Sequence, residues 1–315
     1  MTLAPELLTV GRVSVDLYAD IAGAGYEDDQ RFVKSIGGSP TNVAVAAARL
    51  GHRAAVLTKV GTDPFGDYVL TKLVSLGVDT AHVGRHEQLA TPLAFAALTP
   101  PDDPLLVFYR NPAAPDMQLT NDDVDDELVR DVDVLWVAAS SMAQEPARST
   151  IQGMLSTRGR TRHTVLDLDY RRSFWSSPAE ACEVIGAAVS TATVAVGNRT
   201  ECEVAIGTTD PDEAARRLLA RGVDLAVVKM GGEGVLVATA DGSSVIPPKR
   251  IEVVCGLGAG DAFGGALVHG LLSGWSPQEI VTYANAAGAL AASRLMCADA
   301  MPTEAEIDAL LEAVQ

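Results

Sequence analysis

The chain has 315 residues, 48% hydrophobic and 21% charged, a balance that excludes a disordered protein and gives ample material for a core. Twenty-four basic residues against 41 acidic ones leave a net charge of -17, so neither nucleic acid nor anionic lipid is held by a general positive field. No stretch reaches the ~18 uninterrupted apolar residues of a membrane-spanning helix, and Cys182, Cys202, Cys255 and Cys297 form no C-x-x-C pair, which argues against a zinc site or a disulfide framework.

Residues 1–10 lack a basic flank and a long apolar run, so the expected location is cytoplasmic, with no membrane and no nucleic acid among the partners. Short β-rich runs then alternate with helical patterns. A strand is predicted at 7–11, a helix at 41–50, a strand at 54–58, a helix at 65–76, a strand at 134–138 and a helix at 145–155. A strand at 164–168, a helix at 178–189, a strand at 194–196, a helix at 211–221 and a strand at 225–229 follow, then helices at 262–272, 277–294 and 303–313. Most of the strands are apolar throughout, as in a mostly parallel sheet covered by helices on both faces, and this α/β architecture is the expected fold class. Segments 13–36 and 91–110 break the rhythm and read either as surface loops or as a small separate sheet. With no repeat or low-complexity linker visible, the whole of 1–315 is expected to be one domain.

The segment Cys255-Gly256-Leu257-Gly258-Ala259-Gly260-Asp261-Ala262-Phe263 is a glycine-rich turn running into a helix. Such a turn aims backbone N–H groups at one point, and the helix N-terminus adds positive charge, so it holds an anion. A resting phosphate would be repelled by Asp261. Phosphoryl transfer to an alcohol, however, needs a base beside an anion hole. A dinucleotide fingerprint does not fit, because Asp261 stands where the last glycine is required. A glycine cap followed by a capping aspartate is the purely structural alternative.

Together with Gly37-Gly38-Ser39-Pro40-Thr41-Asn42, Asn198-Arg199-Thr200-Glu201 and Lys229-Met230-Gly231-Gly232-Glu233-Gly234, this segment resembles the ribokinase-like PfkB carbohydrate kinases, whose motifs occur in this order. The resemblance implies a ribokinase-like fold with a small β-sheet lid built from segments 13–36 and 91–110. It implies ATP and Mg²⁺ as cofactors and a carbohydrate as acceptor. Asp261 would be the catalytic base, with Gly258, Ala259 and Gly260 as the anion hole. Asn198 and Glu201 would organise Mg²⁺ through water, falling on one face if a helix starts there. Lys229, Gly231, Gly234 and Asn285 would meet ATP, although the glycines also suit a hairpin turn and Asn285 a backbone contact. Asp16, Gly38 and Asn42 would meet the sugar.

Phe108-Tyr109-Arg110 and Asp167-Leu168-Asp169-Tyr170-Arg171 resemble elements of the sugar-acid branch, where arginines meet a carboxylate. Within that branch, the resemblance of GRVSVDLYAD, LDYR, CGLGAGDAFGGALVHGLL and CADAMPT implies 5-dehydro-2-deoxygluconate as the expected substrate, phosphorylated on its 6-hydroxyl in myo-inositol catabolism. The alternatives are 2-keto-3-deoxygluconate, ribose or fructose, or a non-catalytic sugar- or nucleotide-binding regulator. A homodimer is compatible with the resemblance. Cys255 stands where cation-dependent members carry aspartate, and a thiol is a poor ligand for a hard alkali ion, so activation by K⁺ is not expected.

Overall fold

The computed structural model describes residues 3–21, 26–97, 105–160 and 163–313. Ten strands form the main sheet. Nine of them lie in the spatial order Gly242–Ile246, Val235–Thr239, Leu225–Lys229, Val194–Asn198, His163–Asp167, Val134–Ala138, Leu7–Val10, Ala54–Gly61 and Val78–Asp79. Val83–His86 also pairs with Ala54–Gly61. Pairing is parallel throughout except for the two strands at the Gly242 end, which run antiparallel.

The strands are apolar on both faces because both faces are covered. Successive side chains of a strand point to opposite sides. Accordingly Leu7, Val56, Trp136, Val194 and Val227 join one core, while Leu8, Leu57, Val137, Ala195 and Val228 join another. The first core is sealed by helices Ser39–Arg49, Ala259–Leu272 and Pro277–Ala292, the second by Ala147–Arg158, Pro178–Val189 and Pro211–Ala220.

Helix Ala259–Leu272 lies very close to its neighbours. A methyl group at Gly265 would stand 2.3 Å from the Ala46 Cβ, and one at Gly264 would stand 2.8 Å from the Trp136 ring. These glycines let the helix settle between helix Ser39–Arg49 and the sheet, which fixes the position of its N-terminus.

A second sheet holds four strands in the order Phe32–Gly37, Ser14–Ala19, Leu93–Ala97, Leu105–Tyr109. It is built from the two segments that break the α/β rhythm; their residues 22–25 and 98–104 lie outside the described residues. Several features depart from the sequence reading, among them the short strands Val78–Asp79 and Val83–His86, which it did not foresee. Helix 262–272 begins three residues earlier, at Ala259, because Gly258 takes up a left-handed φ of 81° and turns the chain at once. Val235–Thr239 and Gly242–Ile246 form an unexpected hairpin. Arg199–Ile206 is a short helix that the sequence left open.

Candidate active site

Open α/β sheets bind ligands beyond the carboxyl ends of their strands. The sequence motifs converge there, since Arg12 follows Leu7–Val10, Asp167 ends His163–Asp167, Asn198 ends Val194–Asn198 and Lys229 ends Leu225–Lys229. A cleft at the other end of the strands, lined by Glu6, His52 and His163, touches none of them.

Gly258 opens helix Ala259–Leu272, whose first ladder bond runs from the Ala262 N–H to the Gly258 carbonyl at 2.8 Å. The N–H groups of Ala259, Gly260 and Asp261 therefore precede the intrahelical ladder and carry the positive end of the helix dipole. A Cβ at Gly260 would stand 3.5 Å from Lys229 Nζ, an ordinary contact distance that places the ammonium beside that helix end. Burial disfavours the charge of Lys229, but Glu201, Asp167, Asp261 and Asp169 more than compensate and raise its pKa.

Two cavities meet at this turn. One, of about 830 Å³, is lined by Lys229, Gly231, Gly234, Ala259, Gly260 and Asn285. The other is lined by Arg12, Asp16, Gly38, Asn42, Arg171 and Asp261. The glycine turn is the wall between them.

In the second cavity, Asn42 Nδ2 donates to Asp261 Oδ2 at 2.8 Å, while Asn42 Oδ1 is buried without a partner among the described residues. Burial raises the pKa of Asp261, opposed by hydrogen bonds from Asn42 and Ser39. Asp16 accepts from Ser14 Oγ at 2.6 Å and from the Tyr18 hydroxyl at 3.3 Å, yet burial still pushes it up to about 6. Gly38 has φ 100°, and a Cβ there would stand 2.4 Å from the Arg12 carbonyl. Its glycine is thus required by the backbone of the neighbouring strand end, a reason separate from the approach of a sugar.

Asn198 caps helix Arg199–Ile206. Its Oδ1 accepts from the Glu201 N–H at 2.9 Å, and the Glu201 Oε2 accepts from the Asn198 N–H at 2.7 Å. The Asn198 oxygen is spent on the cap, so its part is to hold Glu201, a residue only 6% exposed. Among the described residues no cluster of three or more His, Cys, Asp or Glu is arranged to hold a metal. Mg²⁺ keeps several waters and takes one or two carboxylates together with phosphate oxygens, and Glu201 is an oxygen donor of that kind. Gly234 has no room for a Cβ, which would lie 2.2 Å from the Ile246 carbonyl, so hairpin geometry and the cavity wall require the same residue. Asn285 faces the first cavity and also donates to the Pro247 carbonyl at 3.1 Å.

The two arginines expected at the substrate carboxylate part company. Arg171 lines the second cavity, with Nη2 3.4 Å from Asp169 Oδ1. Arg110 does not line it, because both terminal nitrogens are engaged by the buried Asp116 carboxylate, Nη1 at 3.2 Å. Asp116 in turn accepts from the Val13 N–H at 3.2 Å. Arg12, to which the sequence reading assigned no role, lines the cavity instead.

Residues 4–304 match the model of the pfkB family of carbohydrate kinases. The chain belongs to that family. This pfkB kinase is a phosphotransferase acting on a sugar hydroxyl. It is 29% identical over 316 residues to the 5-dehydro-2-deoxygluconokinase of Geobacillus kaustophilus, covering 98% of this chain and 93% of that protein. A fructokinase from Vibrio cholerae in fructose, ADP and calcium ion bound form is 27% identical, with a TM-score of 0.85 over 97% of this chain and 98% of that one. A protein described as ribokinase II from E. coli, in complex with ATP and Mg²⁺, shares the fold at a TM-score of 0.89 and 23% identity, covering 99% of this chain and all of that one. Among the described residues of the pfkB kinase, no helix is long and apolar enough to cross a membrane.

Proposed function

We propose that this pfkB kinase transfers the γ-phosphoryl group of ATP to the 6-hydroxyl of 5-dehydro-2-deoxy-D-gluconate, in the cytoplasm and in myo-inositol breakdown. The observation that carries the reading is the shared wall. The Gly258–Asp261 turn separates a cleft roomy enough for a nucleotide from a smaller cavity that carries Arg12, Asp16, Asn42 and Arg171, with a carboxylate at the boundary. The names of the relatives support the acid substrate, and ADP in the fructokinase supports the nucleotide.

On this reading Asp16 and the unpartnered Asn42 Oδ1 accept bonds from sugar hydroxyls and orient the reacting one toward Asp261. Asp261 removes the proton as the hydroxyl oxygen bonds to the γ-phosphorus. The bond from that phosphorus to the β-phosphate oxygen breaks, and ADP departs. The N–H groups at Gly258, Ala259 and Gly260 receive the charge spreading over the phosphoryl oxygens, and Lys229 adds a full positive charge beside them. Gly231, Gly234 and Asn285 line the nucleotide cleft. Glu201, held by Asn198, would hold Mg²⁺ through its waters, and the ion would neutralise phosphate charge. The small sheet, whose Ala94, Leu106 and Phe108 line the sugar cavity, acts as a lid that keeps water from the reacting phosphoryl group.

A coupled assay of ADP release over 5-dehydro-2-deoxygluconate, 2-keto-3-deoxygluconate, fructose and ribose tests the reading. The first should show the highest kcat/KM. A preference for fructose or ribose overturns the acid substrate and leaves the kinase. Binding without turnover on every sugar would favour a regulator, a role for which the Asn42–Asp261 pair gives no reason.

A further inference from the structure

We infer that Arg12, paired with Arg171 across Asp169, is the residue that selects an anionic substrate in this kinase, and that Arg110 is not a carboxylate ligand. The inference rests on the sugar-acid reading above and names the groups that would enforce it.

Three guanidinium groups gather near the sugar cavity. Arg12 and Arg110 both lie against the Phe174 ring, 5.2 and 5.0 Å from its centroid, and Arg171 stands beside Asp169. Their donors are committed very differently. Arg110 gives both terminal nitrogens to Asp116, a carboxylate that is 1% exposed and fully matched by that fork. Arg12 gives Nε to Ser140 Oγ at 3.0 Å and Nη2 to Asp169 Oδ2 at 2.9 Å. Its Nη1 has no hydrogen bond among the described residues, although Arg12 is 4% exposed and lines the cavity. A guanidinium donor left open to a cavity is available to an acceptor on the ligand.

The arrangement around Asp169 points the same way. Asp169 is shared, since Oδ2 takes Arg12 and Ser140 while Oδ1 faces Arg171. Asp16 and Asp261 line the same cavity, so the two guanidinium groups act here as directed donors and not as a surplus of positive charge. Asp169 also fixes the two forks relative to each other, which prepares them for a planar carboxylate that can bond both.

The test compares the ratio of kcat/KM for 5-dehydro-2-deoxygluconate to that for fructose in the wild type and three variants, Arg12→Lys, Arg171→Lys and Arg110→Lys. Lysine keeps the charge but loses the fork. Arg12→Lys should lower the ratio by about tenfold or more through a higher KM for the acid, as should Arg171→Lys, whereas Arg110→Lys should leave it within roughly threefold. An unchanged ratio in Arg12→Lys overturns the inference, and so does a fall in Arg110→Lys as large as that in Arg12→Lys. Should Arg12→Lys fail to fold, Arg171→Lys, on a side chain 41% exposed, decides alone, and an unchanged ratio there overturns the shared clamp. A wild type that turns over fructose in preference to the acid removes the sugar-acid reading and this inference together. It shows before any variant is made, so the two failures are told apart.

Discussion

Asn42 Nδ2 donates to Asp261 Oδ2 at 2.8 Å, joining residues 219 positions apart in the chain. The bond orients the carboxylate and favours its ionised form, against the burial that raises its pKa. Asp261→Asn keeps the shape and can still accept from Asn42, but an amide cannot take a proton. Sugar and nucleotide affinities should persist while kcat falls by several orders of magnitude. Steady-state kinetics with calorimetric binding checks this, and a variant keeping more than about a tenth of kcat removes Asp261 as the base.

Asp16 ties pH to both stability and sugar affinity. Its folded pKa, about 6, lies above the ordinary carboxylate value of 3.8, so the folded protein holds a proton that the unfolded chain has lost between those values. Stability from this group is therefore greatest at low pH and declines as pH rises through about 6, at a cost of roughly 2–3 kcal/mol above it. Asp16→Asn should raise Tm at pH 8, and the gain should shrink between pH 6 and 4. The same variant should weaken sugar binding, because sugar hydroxyls favour the ionised acceptor. In the wild type, KM for the sugar should rise as pH falls below 6. Thermal melts at pH 4 to 8 and pH-dependent KM measurements decide; a gain that is unchanged across the range would remove Asp16 as its source.

Cys255 is fully buried, its N–H donates to the Ala292 carbonyl at 3.0 Å, and burial raises its thiol pKa. A neutral sulfur gives an alkali ion little, so rates in Na⁺ and K⁺ buffers of equal ionic strength should differ little. Clear stimulation by K⁺ would show that backbone oxygens build a cation site without this side chain.

Gly264 sets the depth of the helix that carries Asp261. A methyl there would meet the Trp136 ring at 2.8 Å and Val43 Cγ2 at 3.0 Å. Gly264→Ala should cost about 1–3 kcal/mol by overpacking, read as a lower Tm. Because the helix must move away from the sheet, kcat should fall with it. Lost stability with full kcat would mean that Trp136 yields and the helix does not.

The sequence by itself determined the class of fold, because apolar strands alternating with helical periods have few ways to bury both faces of each strand. It also pointed to where the candidate site lies, since most of its glycine and carboxylate motifs fall at the carboxyl end of a strand or the start of a helix, with Asp16 inside Ser14–Ala19 the exception, and parallel strands bring those ends together. The start of the helix that carries Asp261 was misread by three residues, because Gly258 turns left-handed at a place where a Cβ would stand 3.0 Å from Cys297. The choice among arginines was out of reach of the sequence. Arg110 pairs with Asp116 just six positions away, but Arg12 meets Asp169 across 157 positions and Ser140 across 128. Which guanidinium keeps a free donor depends on which carboxylates the sheet order sets beside it. That distance has no counterpart in local pattern, so the tertiary structure alone decided it.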